Sequence, residues 1–390
     1  MNLMDLVNLL LFALALLGLL AVFVLYPLAL WLRARQQPVS DAGPTTAGLP
    51  TVSLLVVARN AAAIIEAKIS NCLALDYPAH LLEIIFYSDG STDRTEKIIG
   101  KYAGPRLRLL SSAGHGGKTQ ALNEAVAHCA GDILVFSDAD ALLNREAVTK
   151  LTRHFQDPQI GGVCGQRLIA REKVNLRTAQ SSYIKFDSLI KLLESRIGSI
   201  TSNDGKIYAI RRELFQPIAP GATDDLYVCL SIILQGRRFI FEPAAQALIR
   251  VPSRSPAHEV SRRRRIVSRS LRGISLSRKL LNPRQYGFYA LGLFINKVLR
   301  RLLCIFLALL LVSSIYLSLH LTGVRYLLAA QLLFYGLALS HSRLAPIKTL
   351  GKIAGRAFYF CLGAWGSLLG VVDFVRGRFI EKWEPVKTDG

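Results

Sequence analysis

The chain is short of acid. Over 390 residues, 27 aspartates and glutamates stand against 48 lysines and arginines, a formal net charge of +21. The six cysteines (Cys72, Cys129, Cys164, Cys229, Cys304 and Cys361) are scattered, and no two form a CxxC pair. That spacing argues against a structural zinc site and suits a reducing compartment. The first apolar run has no basic stretch before it and no small-residue cleavage site directly behind it, so it is not read as a cleaved leader. A phosphate loop of GxxxxGK[ST] spacing is also missing.

Apolar residues, by contrast, make up 51% of the chain. Apolar and cationic excess rarely occur together in a soluble protein. They coexist if the apolar residues lie in membrane spans and the basic ones line the cytoplasmic side. Leu6 to Leu32 is uncharged throughout, and about 20 residues suffice to cross a bilayer core. Further uncharged runs lie between Arg301 and Arg325, between Arg325 and Arg343, and between Arg356 and Asp373. The first of these predicts a span; the other two are short. Arg33 and Arg35 after the first span, and Arg300 and Arg301 before the second, place the intervening segment in the cytoplasm and the N-terminus outside. Three full C-terminal spans would put Arg376, Arg378 and Lys382 outside, against the same rule, unless one short run is interfacial or re-entrant. The sequence leaves that parity open.

The expected organisation is a transmembrane helix (1–32), a linker (33–50), a central domain (51–253), basic amphipathic interfacial helices (254–300), a transmembrane region (301–374) and a tail (375–390). Within 51–253, "VSLLVVA", "LEIIFYS", "LRLLSS" and "DILVFSD" read as four strands separated by helical patterns. Short apolar strands alternating with helices predict an α/β fold with a parallel, doubly wound sheet. Ligands of such sheets bind outside the carboxyl ends of the strands, so polar motifs just after strands are site candidates.

"SDGSTD" (88–93) is one: Asp89 ends a strand and is followed by a turn. A capping turn alone would explain it. In "VFSDADA" (135–141), Asp138 and Asp140 follow a buried strand. Two carboxylates there repel one another unless a cation joins them, and hard oxygen ligands suit Mg²⁺ or Mn²⁺. "GHGGKTQALNEA" (114–125) puts Lys118 behind three glycines at a helix start, where an ammonium can meet a diphosphate. Asp224 and Asp225 open a helix carrying Leu226, Leu230, Ile233 and Leu234. Acids at a helix start answer its dipole, and a carboxylate fixed there is also well placed as a general base.

"ARN", "DYP", "SDGSTD", "GKTQALN", "SDAD", "GKIYAIRREL" and "TDDLYVCL" follow one another over roughly residues 51–275. In that order they resemble the membrane-embedded glycosyltransferases of family 2, the group of cellulose, chitin, hyaluronan and poly-N-acetylglucosamine synthases. The resemblance implies a GT-A (Rossmann-like) domain with N- and C-terminal transmembrane helices. It implies that Asp89 contacts the nucleotide base, that Asp138 and Asp140 hold the donor diphosphate through a metal, and that Asp225 is the catalytic base. Ala61 stands where the family usually has Glu, and Asp224 replaces the Glu of its TED motif. The family's (Q/R)xxRW motif is matched by Arg262 and Arg265, which the resemblance places on the donor, whereas Ile266 replaces the tryptophan. Asp224 and Ile266 then fall on the acceptor side. An isoleucine cannot stack on a sugar ring, so transfer of one sugar is expected rather than extension of a polymer.

The arginines also have a reading of their own. Val260, Val267, Leu271, Ile274 and Leu281 lie on one helical face, and Arg262, Arg265, Arg269 and Arg272 on the other. From Arg254 to Arg284 there are ten basic residues and one acid, Glu259. Such a helix beside a span is expected at the membrane surface, its guanidinium groups meeting lipid headgroups, an anionic lipid-linked acceptor or the donor diphosphate. Nucleic acid is not expected, because the cluster lacks interleaved aromatics. The expected protein is a metal-dependent, inverting hexosyltransferase in a bacterial inner (plasma) membrane. It would pass a sugar from a nucleotide-sugar donor, taken as a UDP-sugar, to a lipid or lipid-linked glycan acceptor at the cytoplasmic face. A processive polysaccharide synthase, a non-catalytic membrane scaffold and a nucleic-acid-binding membrane protein are the rival readings.

Overall fold

The computed structural model describes residues 3–37, 48–169, 175–249 and 255–378. Most of the linker, at 38–47, and the tail from 379 lie outside them. The four strands read from the sequence form as β1 (Val52–Ala58), β2 (Leu82–Asp89), β3 (Leu107–Ser112) and β4 (Ile133–Asp138). They are parallel, in the order β3-β2-β1-β4. The sheet then continues through four strands that the sequence pattern does not announce: β5 (Ala141–Leu143), β6 (Ile160–Ile169), β7 (Ile207–Arg211) and β8 (Arg238–Ile249). Its full order is β3-β2-β1-β4-β7-β6-β8-β5. β7 is antiparallel to both β4 and β6, so the sheet is mixed rather than wholly parallel. At that junction Phe136 faces Tyr208 across the strands, with ring centroids 4.7 Å apart.

The run "VSLLVVA" is buried on both sides because helices cover both faces of the sheet. Val52, Leu54 and Val56 join Ile65 and Ile69 in one core, whereas Leu55 joins Phe136, Tyr208, Leu230 and Phe239 in the other. The period-2 alternation of the strand divides its side chains between them. Asp89 and Asp138 end the two strands on either side of β1, which gathers the polar motifs at one edge.

Among the described residues, four helices are long and apolar enough to cross a membrane: Leu3–Ala34, Pro283–Leu317, Thr322–Leu339 and Thr349–Val375. The second begins at Pro283, well before the Arg301 boundary expected from charge. Buried Glu194 ties the first two to the domain. It accepts hydrogen bonds from Tyr26 Oη (2.6 Å) and Thr201 N (2.8 Å), and Thr201 Oγ1 accepts from Asn296 Nδ2 (2.9 Å).

The arginine stretch lies on the helix Pro256–Leu276, whose start is capped by Ser255 accepting from His258 N. Its partner is the last helix, Lys348–Val375. Glycines let the two backbones touch: a Cβ on Gly366 would come within 3.2 Å of the Val260 carbonyl, and one on Gly370 within 2.6 Å of the Arg264 carbonyl. Arg264 is paired with Asp373, and Ser268 Oγ donates to the Arg378 carbonyl (3.0 Å). Contacts that advance together along both chains mean that the helices run parallel.

Candidate active site

Asp89, 2% exposed, is the hub of the first loop cluster. Its carboxylate accepts from Gly116 N (2.8 Å) and Gly117 N (3.0 Å), and His115 Nδ1 lies 2.8 Å away. The loop can close this tightly because Gly90 has φ +59°, and a Cβ there would lie 2.7 Å from the Gly114 carbonyl carbon. Asp89 thereby shapes the turn that launches Lys118 into its helix, Lys118–Val126. Arg59 donates to the Asp89 carbonyl (3.2 Å), and Asn60 Oδ1 accepts from Thr92 N (2.8 Å), so the "ARN" and "SDGSTD" stretches interlock.

A charge array stands beside it. Lys118 Nζ lies 2.7 Å from Asp138 Oδ1 and 2.8 Å from Asp224 Oδ2. Lys206 Nζ lies 2.9 Å from Asp138 Oδ2 and 2.7 and 3.0 Å from the two oxygens of Asp140. Burial works to raise the Asp138 carboxyl, but the two ammonium groups outweigh it and hold the acid well below the usual carboxylate range. Burial likewise works to lower Lys118, and Asp138 and Asp224 hold it above the ordinary lysine value. Beneath the turn, Lys68 is fully buried, and its ammonium donates to Ser137 Oγ (2.7 Å) and the Ala141 carbonyl (2.5 Å). It grips the residues flanking Asp138 and Asp140.

Asp225 sits in the first turn of the helix Asp224–Leu234, its Oδ1 accepting from Leu226 N (2.7 Å). Burial, then the charge of neighbouring Asp224, pushes its carboxyl up to about 6, against the opposing pull of Lys118. Gly205 leaves room for it, since a Cβ there would stand 3.3 Å from Asp225 Oδ2. Tyr208 Oη is buried with no hydrogen-bond partner among the described residues, and it feels the charges of Asp224, Asp225 and Asp138.

Residues 53–218 match glycosyl transferase family 2. The chain carries a family 2 glycosyltransferase domain. Among its relatives is a beta-monoglucosyldiacylglycerol synthase of Synechocystis sp., 29% identical over 206 residues, which are 50% of this chain and 43% of that protein. A poly-beta-1,6-N-acetyl-D-glucosamine synthase of Staphylococcus aureus is 27% identical over 211 residues, 52% of this chain and 51% of the relative. The chain thus spans about half the length of the curated relatives it matches. A mannosyltransferase from Pyrobaculum calidifontis, solved in complex with GDP-Man and Mn²⁺, superposes with a TM-score of 0.69 over 94% of this chain and 99% of that one, at 23% identity. The fold is of the GT-A type.

In this glycosyltransferase domain the structure brings Asp138, Asp140, Lys118, Asp224 and Asp225 together, with Asp89 at the neighbouring strand end. The arginines divide. Arg262, expected on the donor, pairs with buried Glu259 at 3.0 Å, as does Arg263 at 2.8 Å. Arg269, expected on a polar face, is only 9% exposed; it donates to the Ala222 carbonyl (2.7 Å) and to Thr119 Oγ1 (2.9 Å). It ties the turn before Asp224 to the helix of Lys118. Among Arg262, Arg263, Arg264, Arg265 and Arg269, Arg265 alone makes no hydrogen bond or ion pair with the described residues. Burial, then the like charges of Arg269 and Arg262, lower its proton affinity, and Asp224 works against them. Ile266 is 38% exposed.

Sequence reasoning missed Lys206, Lys68 and the inward turn of Arg269. Lys206 directly precedes β7, and its neighbour Ile207 pairs with Ser137. A residue before an antiparallel strand lies at the carboxyl end of the strand beside it. The signal is present in "DGKIYAI" but requires knowing the strand's direction.

Proposed function

We propose that the chain is an inverting glycosyltransferase that moves a sugar from a nucleotide-sugar donor to a lipid or lipid-linked acceptor at the cytoplasmic membrane face, one sugar at a time. The observation that carries this is Asp225, a half-buried carboxylate with a raised proton affinity next to an array of lysines and acids at the carboxyl ends of the strands. Its oxygen takes the proton of an acceptor hydroxyl. The hydroxyl oxygen then bonds to the anomeric carbon from the face opposite the leaving group. The bond from that carbon to the donor phosphate breaks, and its electron pair leaves with the nucleoside diphosphate. Inversion converts an α-linked donor into a β-glycoside.

Lys118 and Arg265 supply positive charge where the diphosphate departs. The four carboxylate oxygens of Asp138 and Asp140 are hard donors that fit Mg²⁺ or Mn²⁺. No group of three His, Cys, Asp or Glu gathers among the described residues, so phosphate oxygens and water would complete the coordination. A metal held there would supply further charge to the leaving group. Asp89 is assigned to the nucleobase, with its loop turned around it.

The packing of the helices supports the orientation. Ala34 is buried beside the domain, the helix Pro283–Leu317 leaves it and Thr322–Leu339 returns. The last helix ends with Asp373 and Arg378 against the arginine helix, itself anchored to the domain through Arg269. We read it as lying along the membrane surface, which leaves three crossings. Arg376 and Arg378 then stay on the cytoplasmic side, where basic residues accumulate.

The test is product analysis. Purified protein in nanodiscs, given membrane lipid extract and labelled UDP- and GDP-sugars, should yield a lipid-soluble product bearing a single β-linked sugar. A ladder of lengths would instead support the processive reading.

A further inference from the structure

Every oxygen of the Asp138–Asp140 pair already faces an ammonium group. Asp138 Oδ1 takes Lys118, and the other three take Lys206. Two carboxylates one residue apart repel, and Lys206 relieves that repulsion in the protein alone. Its backbone is fixed: Ser137 Oγ donates to the Lys206 carbonyl (3.1 Å), and Ile207 begins β7. Its side chain is 20% exposed and Asp140's is 48% exposed, so the ammonium sits at the open rim of the cluster on a flexible four-carbon stem. A divalent ion and the Lys206 ammonium compete for these oxygens, because two cations held that close repel each other.

We propose that Lys206 is the resident counter-ion of the Asp138–Asp140 pair, and that a divalent metal binds there by displacing it. The inference rests on the reading of those aspartates as metal holders given above. Displacement of Lys206 costs least when a new anion is at hand, and the donor's diphosphate provides one. Metal and nucleotide therefore bind together, and the metal alone binds weakly. The lysine also keeps the two acids ordered between turnovers, in the arrangement that the metal then takes over.

The experiment is a Mn²⁺ titration of the full chain in nanodiscs, read by the electron paramagnetic resonance of free Mn²⁺, alone and with UDP or GDP. Wild type should bind Mn²⁺ weakly alone and at least about tenfold more tightly with a nucleoside diphosphate. Lys206→Met should bind Mn²⁺ alone at least about tenfold more tightly than wild type and lose most of the gain from nucleotide. Lys206→Arg, which keeps the charge, should behave as wild type. Lys206→Gln guards against a folding defect in the methionine variant, and the unfolding midpoints of all variants are compared. A purely structural lysine predicts weaker Mn²⁺ binding in both neutral variants. That result, or affinities equal to wild type, overturns the inference while leaving the metal reading intact. Absence of Mn²⁺ binding in every protein, with either nucleotide, overturns both.

Discussion

The ammonium of Lys118 rests 2.8 Å from the carboxylate of Asp224, joining the helix that follows the glycine loop to the helix that carries Asp225. The same ammonium opposes the upward shift of Asp225. Lys118→Met should therefore do two things. It should lower kcat/KM by about 10²-fold or more through lost charge stabilisation of the leaving group. It should also move the acid limb of the pH–rate profile to higher pH. A lower rate with an unmoved limb would separate Lys118 from Asp225.

Asp225 itself should set that limb. A base must be deprotonated, so activity falls as the pH drops below about 6. Asp225→Asn should cut kcat by about 10²–10⁴-fold and leave nucleotide binding, followed by calorimetry, close to wild type. Stability should move the other way. A carboxyl raised from its ordinary 3.8 to about 6 destabilises the folded chain in its charged form. Its relative contribution is most favourable below the lower value and is lost as the pH rises through the upper one. At pH 8 the asparagine variant should melt no lower than wild type.

Much of this site is legible in the sequence. Asp89, Asp138 and Asp225 stand at the ends of apolar strands or the start of an apolar helix, and such boundaries can be read along the chain. β7 is not legible. "IYAIR" is five residues long, and its pairing with β4 is a long-range choice made by facing side chains such as Phe136 and Tyr208. Lys206 is lost with it. The arginines do form one helix, as their spacing predicts, but their partners could not be read. Glu259 looks like one acid among ten bases, yet it is fully buried and holds Arg262 and Arg263. The start of the second apolar helix escapes a reading in which charge marks its edge. Arg300 is tolerated inside it by donating to Asn296 Oδ1 (3.1 Å) and lying over the Phe186 ring at 5.5 Å.

Arg269→Met should test whether the arginine helix positions the site. It removes hydrogen bonds from a buried guanidinium to Ala222 and Thr119, a loss of about 2–3 kcal/mol in stability. Because both partners neighbour site residues, kcat should fall with it while KM for the donor changes less. An unfolding midpoint that drops with unchanged kcat would reduce Arg269 to a structural tie.

The parallel pairing of the last helix with the arginine helix predicts where the chain ends up. A peptide tag fused after Gly390 should be reached by antibody in inverted membrane vesicles and protected in intact cells. The opposite pattern would make the last helix a fourth crossing. Gly370→Leu should lower the unfolding midpoint, because its side chain would meet the Arg264 carbonyl and Val267.

The most direct measurement is nucleoside diphosphate release by purified protein in nanodiscs containing membrane lipid extract, across a panel of UDP- and GDP-sugars. Each donor would be run with Mn²⁺, with Mg²⁺, with chelator and with Asp225→Asn. Release from one donor, lost with chelator and in the variant, is the predicted result. Silence across the panel with no donor bound, or release that Asp225→Asn leaves untouched, would contradict the account.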